Sequence, residues 1–195
     1  MIFVCAMTMA QTNAYPLLPM PQNYKVTDKS FAMGKVKLST PVLKSEWEAF
    51  IVNAGGELAD KAVAEIKVEL LPVIDGVKLN PDEAYRLSVS GKLIKIEAVT
   101  ERGVYWALQT LRQLEKKKGK KSLFAGCEIV DWPAFRIRGF MQDVGRSYIS
   151  VEELKREIEI LSRFKINVFH WHLTENQAWR CLLYTSDAAD ERSSV

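Results

Sequence analysis

A helix bracketed by two short apolar runs, between Pro133 and Arg180, limits the fold of this chain more than any other stretch. Val151, Leu154, Ile158, Leu161 and Phe164 recur at spacings of three and four, which is one face of an α-helix. Ser150 followed three residues on by Glu153 has the form of a capping box and marks the start. Glu152 with Arg156, and Glu159 with Arg163, stand at the i,i+4 spacing that favours ion pairing. Phe135 to Val144 before the helix and Ile166 to Leu173 after it are rich in branched and aromatic residues with period-two character, so both read as strands. Two strands joined by a helix over so short a span make a βαβ unit, whose strands are parallel neighbours with a right-handed crossover. In parallel β/α architectures ligands meet the carboxyl ends of the strands. Here those ends carry Asp143, Gly145 and Arg146 after the first strand, and His172, Glu175 and Asn176 after the second.

Several motifs now stand in order: Arg138-Gly139, Asp143-x-x-Arg146, the helix, Lys165-x-Asn167, and His170-Trp171-His172-Leu173-Thr174-Glu175-Asn176-Gln177-x-Trp179-Arg180. Together they resemble the opening of the catalytic barrel of β-N-acetylhexosaminidases, glycoside hydrolase family 20. Gly103-Val-Tyr-Trp-Ala-Leu-Gln-Thr-Leu-Arg-Gln-Leu114 resembles a helix of the small α+β domain that precedes that barrel in the family. The resemblance implies an α+β N-terminal domain, with an antiparallel sheet covered by helices, followed by the truncated strand-helix-strand start of a (β/α)8 TIM barrel. It implies exo-hydrolysis of terminal β-linked N-acetylglucosamine or N-acetylgalactosamine with retention of configuration. It further implies that the substrate's own acetamido oxygen serves as nucleophile. The partner is then an N-acetylhexosamine-containing oligosaccharide or glycan, and no cofactor is expected. The family's catalytic Asp-Glu pair belongs to a later strand, so no catalytic residue is expected within this sequence.

The resemblance also implies roles. Arg146 is the expected substrate-binding residue, because a planar guanidinium offers parallel donors at the separation of two neighbouring sugar hydroxyls. Asp143, His172 and Glu175 are expected in support. Asp143 would orient Arg146 or a neighbour, and Glu175 stands where the family usually has an aspartate supporting a histidine that in turn supports the catalytic acid. Its extra methylene moves the carboxylate outward, and Asn176 replaces another common acid. His170-x-His172 invites a rival reading, since such a pair at a barrel strand end can begin a zinc site. These are the only two histidines, and Trp171 with Glu175 fits the glycosidase pattern better, so no metal is expected.

The rest of the chain divides around this unit. Residues 24–131 read as the α+β domain. Its expected strands are Lys35 to Leu38, Ile66 to Leu70, Tyr85 to Ser90 and Leu93 to Ala98, the last two joined by a tight turn at Ser90-Gly91-Lys92. One helix is expected near Ser45 to Asn53. A second is expected from about Gly103, with Val104, Ala107, Leu108, Leu111 and Leu114 as its apolar stripe and Gly119 as its stop. Asp131-Trp132-Pro133 marks the boundary, because the residue before a proline is pushed out of the helical region. Residues 133–180 are the barrel start.

Met1 to Ala10 resembles the apolar core and small-residue cleavage site of a secretory signal, so a secreted or periplasmic location is expected. Residues 181–195 break every pattern and resemble one reading frame of a sequencing-library adapter, a non-native tail. No run of roughly 18 apolar residues occurs, so no membrane span is expected. The formal net charge is only +3, and its main cluster, Lys116 to Lys121, lacks interleaved aromatics, which argues against nucleic acid. With Cys5 in the leader and Cys181 in the tail, Cys127 stands alone and the α+β domain must be held by its core. Two strands of an eight-stranded barrel leave an open edge, so these residues by themselves are expected to be inactive and prone to aggregate. The alternative function is a non-catalytic carbohydrate-binding module built on the α+β domain.

Overall fold

The computed structural model describes residues 16–145, 147–175 and 178–179. The chain divides after Pro133 into two compact units.

The first unit runs β1 (Asn23–Val26), β2 (Phe31–Ala32), β3 (Lys35–Ser39), α1 (Lys44–Asn53), β4 (Glu57–Leu58), β5 (Ala64–Leu70), a 3-10 turn (Pro81–Glu83), β6 (Tyr85–Ser90), β7 (Leu93–Ala98), α2 (Glu101–Gln113), β8 (Glu115–Lys118), β9 (Lys121–Phe124) and β10 (Cys127–Asp131). Seven strands form the main sheet in the order β1-β10-β6-β7-β5-β3-β4, and β2-β9-β8 form a small second sheet. The main sheet is mixed, which corrects the expectation of an antiparallel one. Pairings of β1 with β10, β10 with β6 and β6 with β7 are antiparallel, whereas β7 with β5, β5 with β3 and β3 with β4 are parallel. The cause is topological: α1 is a crossover that returns the chain to the direction of β3, and only the β6–β7 hairpin shows its direction in local turn chemistry.

Alternation along the strands decides what each sheet face does. Leu87 and Val89 of β6, Ile94 and Ile96 of β7, and Ile66 and Val68 of β5 are buried in one core with Trp47, Phe50 and Ile51 of α1 and Val104, Leu108 and Leu111 of α2. Each buried leucine or isoleucine contributes about 1.5–3 kcal/mol. The opposite face carries charges paired along and across strands: Lys95 Nζ lies 2.7 Å from Glu97 of its own strand and 3.1 Å from Glu69 of β5, and Arg86 of β6 lies 3.3 Å from Glu97. Burial alone would raise the Glu97 carboxyl, but Lys95 and Arg86 outweigh it and hold the group below its ordinary range.

Helix α2 starts earlier than its apolar stripe suggests. Thr100 is its N-cap and accepts from the Arg102 N–H at 3.2 Å. Gly103 is therefore inside the helix, and its role is contact. A Cβ there would sit 2.3 Å from the Ala84 carbonyl oxygen and 3.0 Å from the Ala98 Cβ.

The helix stops at Gln113, not at Gly119, a second correction. The lysine-rich run forms a hairpin of β8 and β9, with Gly119 (φ +63°) in the turn and Lys118 opposite Lys121. Lysines propagate a helix well, but the β9 alternation sends Ser122 and Phe124 into the interior, and that burial overrides local preference.

The second unit contains β11 (Gly139–Asp143), α3 (Val151–Arg163), β12 (Val168–His172) and a short antiparallel hairpin of β13 (Thr174–Glu175) with β14 (Ala178–Trp179). Strands β11 and β12 are shorter than the apolar runs that contain them. The capping box of α3 is present: Ser150 Oγ accepts from the Glu153 N–H, and the Glu153 carboxylate accepts from the Ser150 N–H at 3.1 Å. Of the two i,i+4 pairs, Glu159–Arg163 closes at 2.7 Å. The helix ends in a Schellman arrangement, with Ile166 N–H donating to the Leu161 carbonyl and Lys165 N–H to that of Ser162. Lys165 occupies the left-handed position usually given to glycine (φ +61°). On the apolar stripe Leu154 is buried, while Val151, Ile158 and Phe164 remain exposed.

Candidate functional site

The candidate site lies where β11 and β12 end side by side. The two strands pair in parallel, Gly139 opposite Val168 and so on to Asp143 opposite His172. Successive side chains alternate between faces, so Met141, Asp143, His170 and His172 share one face and Phe140, Gln142, Phe169 and Trp171 the other. The Phe140 and Phe169 rings stack at 6.4 Å, and the His170 and His172 rings meet edge-on at 6.4 Å.

At the carboxyl end the ladder extends one bond further, the Val144 N–H donating to the His172 carbonyl at 3.0 Å. The Asp143 carboxylate accepts from the Gly145 N–H at 2.9 Å, which turns the chain sharply after the strand. Asp143 and His172 are both half-buried, as suits polar groups facing a site that is partly open. Arg146 lies outside the described residues, one position past this turn. Glu175 is in β13, three residues beyond His172, and Asn176 and Arg180 also lie outside the described residues. The structure thus brings Asp143 and His172 together and puts the backbone of Glu175 in the segment that follows.

At the opposite end a second set of polar contacts ties the strand starts. Asn167 Oδ1 accepts from the Arg138 N–H at 2.8 Å, and Asn167 Nδ2 donates to the Arg136 carbonyl at 2.9 Å. The Arg138 guanidinium donates to the Lys165 carbonyl at 2.7 Å and to the Phe135 carbonyl at 2.8 Å. The sequence motif names these residues but gives no hint that their side chains bond backbone across the two strands.

As for metal chemistry, among the described residues no group of three or more His, Cys, Asp or Glu side chains gathers in reach of one ion. The first unit holds a different polar cluster that sequence reasoning missed. Tyr85 Oη lies 2.6 Å from Thr110 Oγ1 and donates to Asp131 at 3.0 Å, and Asp131 also accepts from the Gln22 N–H. Gln22 and Asn80 donate to the carbonyls of Trp132 and Pro133, so the last residues of this unit are held by three side chains. The only signal was an aspartate closing an apolar strand.

Comparison with known families agrees with this division. Residues 14–132 match the model described as glycosyl hydrolase family 20, domain 2, and residues 135–189 match that of the family 20 catalytic domain. The chain belongs to glycoside hydrolase family 20. A β-hexosaminidase of Porphyromonas gingivalis is 33% identical over 180 residues, 84% of this chain and 23% of that protein. A β-N-acetylhexosaminidase of Cellulomonas fimi is 40% identical over 100 residues, 51% of this chain and 20% of that protein. Among solved structures, the family 20 exo-β-N-acetylglucosaminidase of Vibrio harveyi in complex with N-acetylglucosamine aligns with a TM-score of 0.69 at 35% identity, over 85% of this chain and 26% of that one. The β-N-acetylhexosaminidase of Bacteroides fragilis aligns with a TM-score of 0.71 at 27% identity, over 85% of this chain and 35% of that one. This family 20 chain therefore spans about a fifth of the length of the curated relatives it matches.

Proposed function

We propose that the protein carrying these residues is a retaining exo-glycosidase that removes terminal β-linked N-acetylglucosamine or N-acetylgalactosamine from oligosaccharides or glycans. The observation that carries this reading is the pairing of Asp143 with His172 at the carboxyl ends of two parallel strands in a chain of family 20. In this reading Arg146 grips two adjacent hydroxyls of the terminal sugar with parallel N–H donors, and Asp143 orients it. His172 and Glu175 support an acid contributed by a later strand. That acid protonates the leaving oxygen as the acetamido oxygen bonds to the anomeric carbon, and water then opens the cyclic intermediate with net retention. The glycan partner and a secreted or periplasmic location belong to the same proposal; residues 1–10, on which the location rests, lie outside the described residues. No helix among the described residues is long and apolar enough to cross a membrane.

A polypeptide of these 195 residues alone is inactive in this account, since β11 and β12 are two strands where a closed barrel needs eight. The test is hydrolysis of a chromogenic N-acetyl-β-glucosaminide by the intact protein and by this polypeptide. Turnover by the first alone supports the reading, and turnover by the second refutes it.

A second reading, sugar binding by the first unit without chemistry, has one observation in its favour. A cavity of about 600 Å³ is lined by Tyr105 and Trp106 together with Asp82, Arg102 and Glu101, an aromatic wall beside charged hydrogen-bonding groups. Quenching of indole fluorescence by chito-oligosaccharides in a Tyr105→Ala-sensitive manner, in a protein without hydrolytic activity, would select it.

A further inference from the structure

The register of β11 against β12 decides whether the site exists. A slip of one residue would send Asp143 and His172 to opposite faces, and a slip of two would part them by about 7 Å along the strands. Hydrophobic patterning sets register firmly only where one face is apolar and the other polar. This pair lacks that contrast: one face carries Met141 and Val168 beside Asp143 and the two histidines, and the other carries Phe140, Phe169 and Trp171 beside Gln142. The stacked Phe140–Phe169 pair favours the observed alignment but is partly exposed.

We propose that Asn167 is the register pin of the parallel pair and, through the five pairs that follow, the residue that positions His172 beside Asp143. Its side-chain amide acts as an extra rung before the strand begins, with the oxygen on the Arg138 N–H and the nitrogen on the Arg136 carbonyl. Donor and acceptor engage Arg136 and Arg138, alternate residues of the segment that leads into β11, a spacing that one alignment satisfies in full. The neighbouring backbone is committed to the same alignment, because the N–H groups of Asn167 and Val168 both donate to the Arg138 carbonyl. The Arg138 guanidinium then holds the Lys165 carbonyl, so the left-handed turn that delivers Asn167 is fixed to the strand it measures. Aspartate keeps the acceptor but faces the Arg136 carbonyl with a like partial charge, and alanine loses both bonds.

This inference rests on the proposed hydrolase reading for its consequence, and its test separates the two. Amide hydrogen exchange and kcat/KM are measured in the intact protein for wild type, Asn167→Ala, Asn167→Asp and, as a control of similar size in the same unit, Ser150→Ala. The expected result is exchange at the distant Val144 amide faster by roughly fivefold or more in both Asn167 variants, about the factor one lost hydrogen bond yields, with β6 amides unchanged. A fall of tenfold or more in kcat/KM should accompany it, mainly in kcat, while Ser150→Ala changes kcat/KM by less than about twofold. Faster exchange confined to the Arg138 amide would overturn the pin, as would kinetics that match the control. If wild type does not turn over substrate, the hydrolase reading fails, and the Val144 exchange still decides the pin.

Discussion

Asp143 and His172 are the last register partners of the parallel pair, and the chain turns immediately beyond Asp143 because its carboxylate accepts from the Gly145 N–H at 2.9 Å. One side chain therefore does two jobs, closing the turn that leads to Arg146 and placing a negative charge on the histidine face. Asparagine keeps the acceptor and removes the charge. Asp143→Asn should leave thermal stability within about 0.5 kcal/mol, as expected where the turn bond survives. It should lower kcat/KM of the intact protein roughly tenfold, the effect of one lost charge-assisted contact. Asp143→Ala should add a loss of about 1 kcal/mol of stability, read by thermal melting.

Tyr85 anchors the end of the first unit. Tyr85→Phe removes the hydroxyl that lies against Thr110 and donates to Asp131, leaving a buried carboxylate with one donor fewer. A cost of about 1–3 kcal/mol is expected, measurable as a lower midpoint in urea with an unchanged slope.

High pH should weaken this unit. Burial is the main force raising the Tyr85 phenol well above 10.0, with the Asp131 charge adding to it, and burial pushes the Cys127 thiol from 9.0 up to about 12. Both groups hold their protons more tightly folded than unfolded. Their stabilising effect is complete below the unfolded values and is lost as pH rises toward the folded ones. Stability should fall from about pH 9 upward, by at most about 1.4 kcal/mol per pH unit for each group, and Cys127→Ala should flatten the first part of that fall. Iodoacetamide at pH 8 should leave the Cys127 peptide unmodified until urea is added.

Gly103 tests the helix contact. Gly103→Ala improves helix propensity by about 1 kcal/mol but places a methyl carbon 2.3 Å from the rigid Ala84 carbonyl. The clash should win, lowering stability by about 1–3 kcal/mol, with the melting curve of the first unit as readout.

How much was legible follows from which interactions are local. Residues 85–90 and 93–98, and helix α3 with its capping box, were readable because their alternation, turn glycine and cap lie within a few residues of each other. The stretch from Glu115 to Gly119 reads as the end of a helix from sequence because the burial of Phe124, which makes it one arm of a hairpin, comes from distant parts of the chain. The sheet's mixed direction was hidden for the same reason, as was the contact of Gly103 with Ala84. At the site, two neighbouring parallel strand ends carrying Asp143 and His172 followed from the βαβ pattern, whereas the register that makes these two residues direct partners did not. Nor did the hold of Asn167 on Arg136 and Arg138, since a side chain bonding the backbone of a segment far away in sequence leaves no periodic trace.

The central claim is that the ends of β11 and β12 form the rim of an amino-sugar pocket, and it is tested most directly by titrating N-acetylglucosamine into the intact protein and its Arg146→Lys variant by calorimetry. Replacing a two-pronged donor with a single ammonium should weaken binding by roughly 10- to 100-fold with an unchanged melting temperature. Equal affinity in the two proteins would contradict the account.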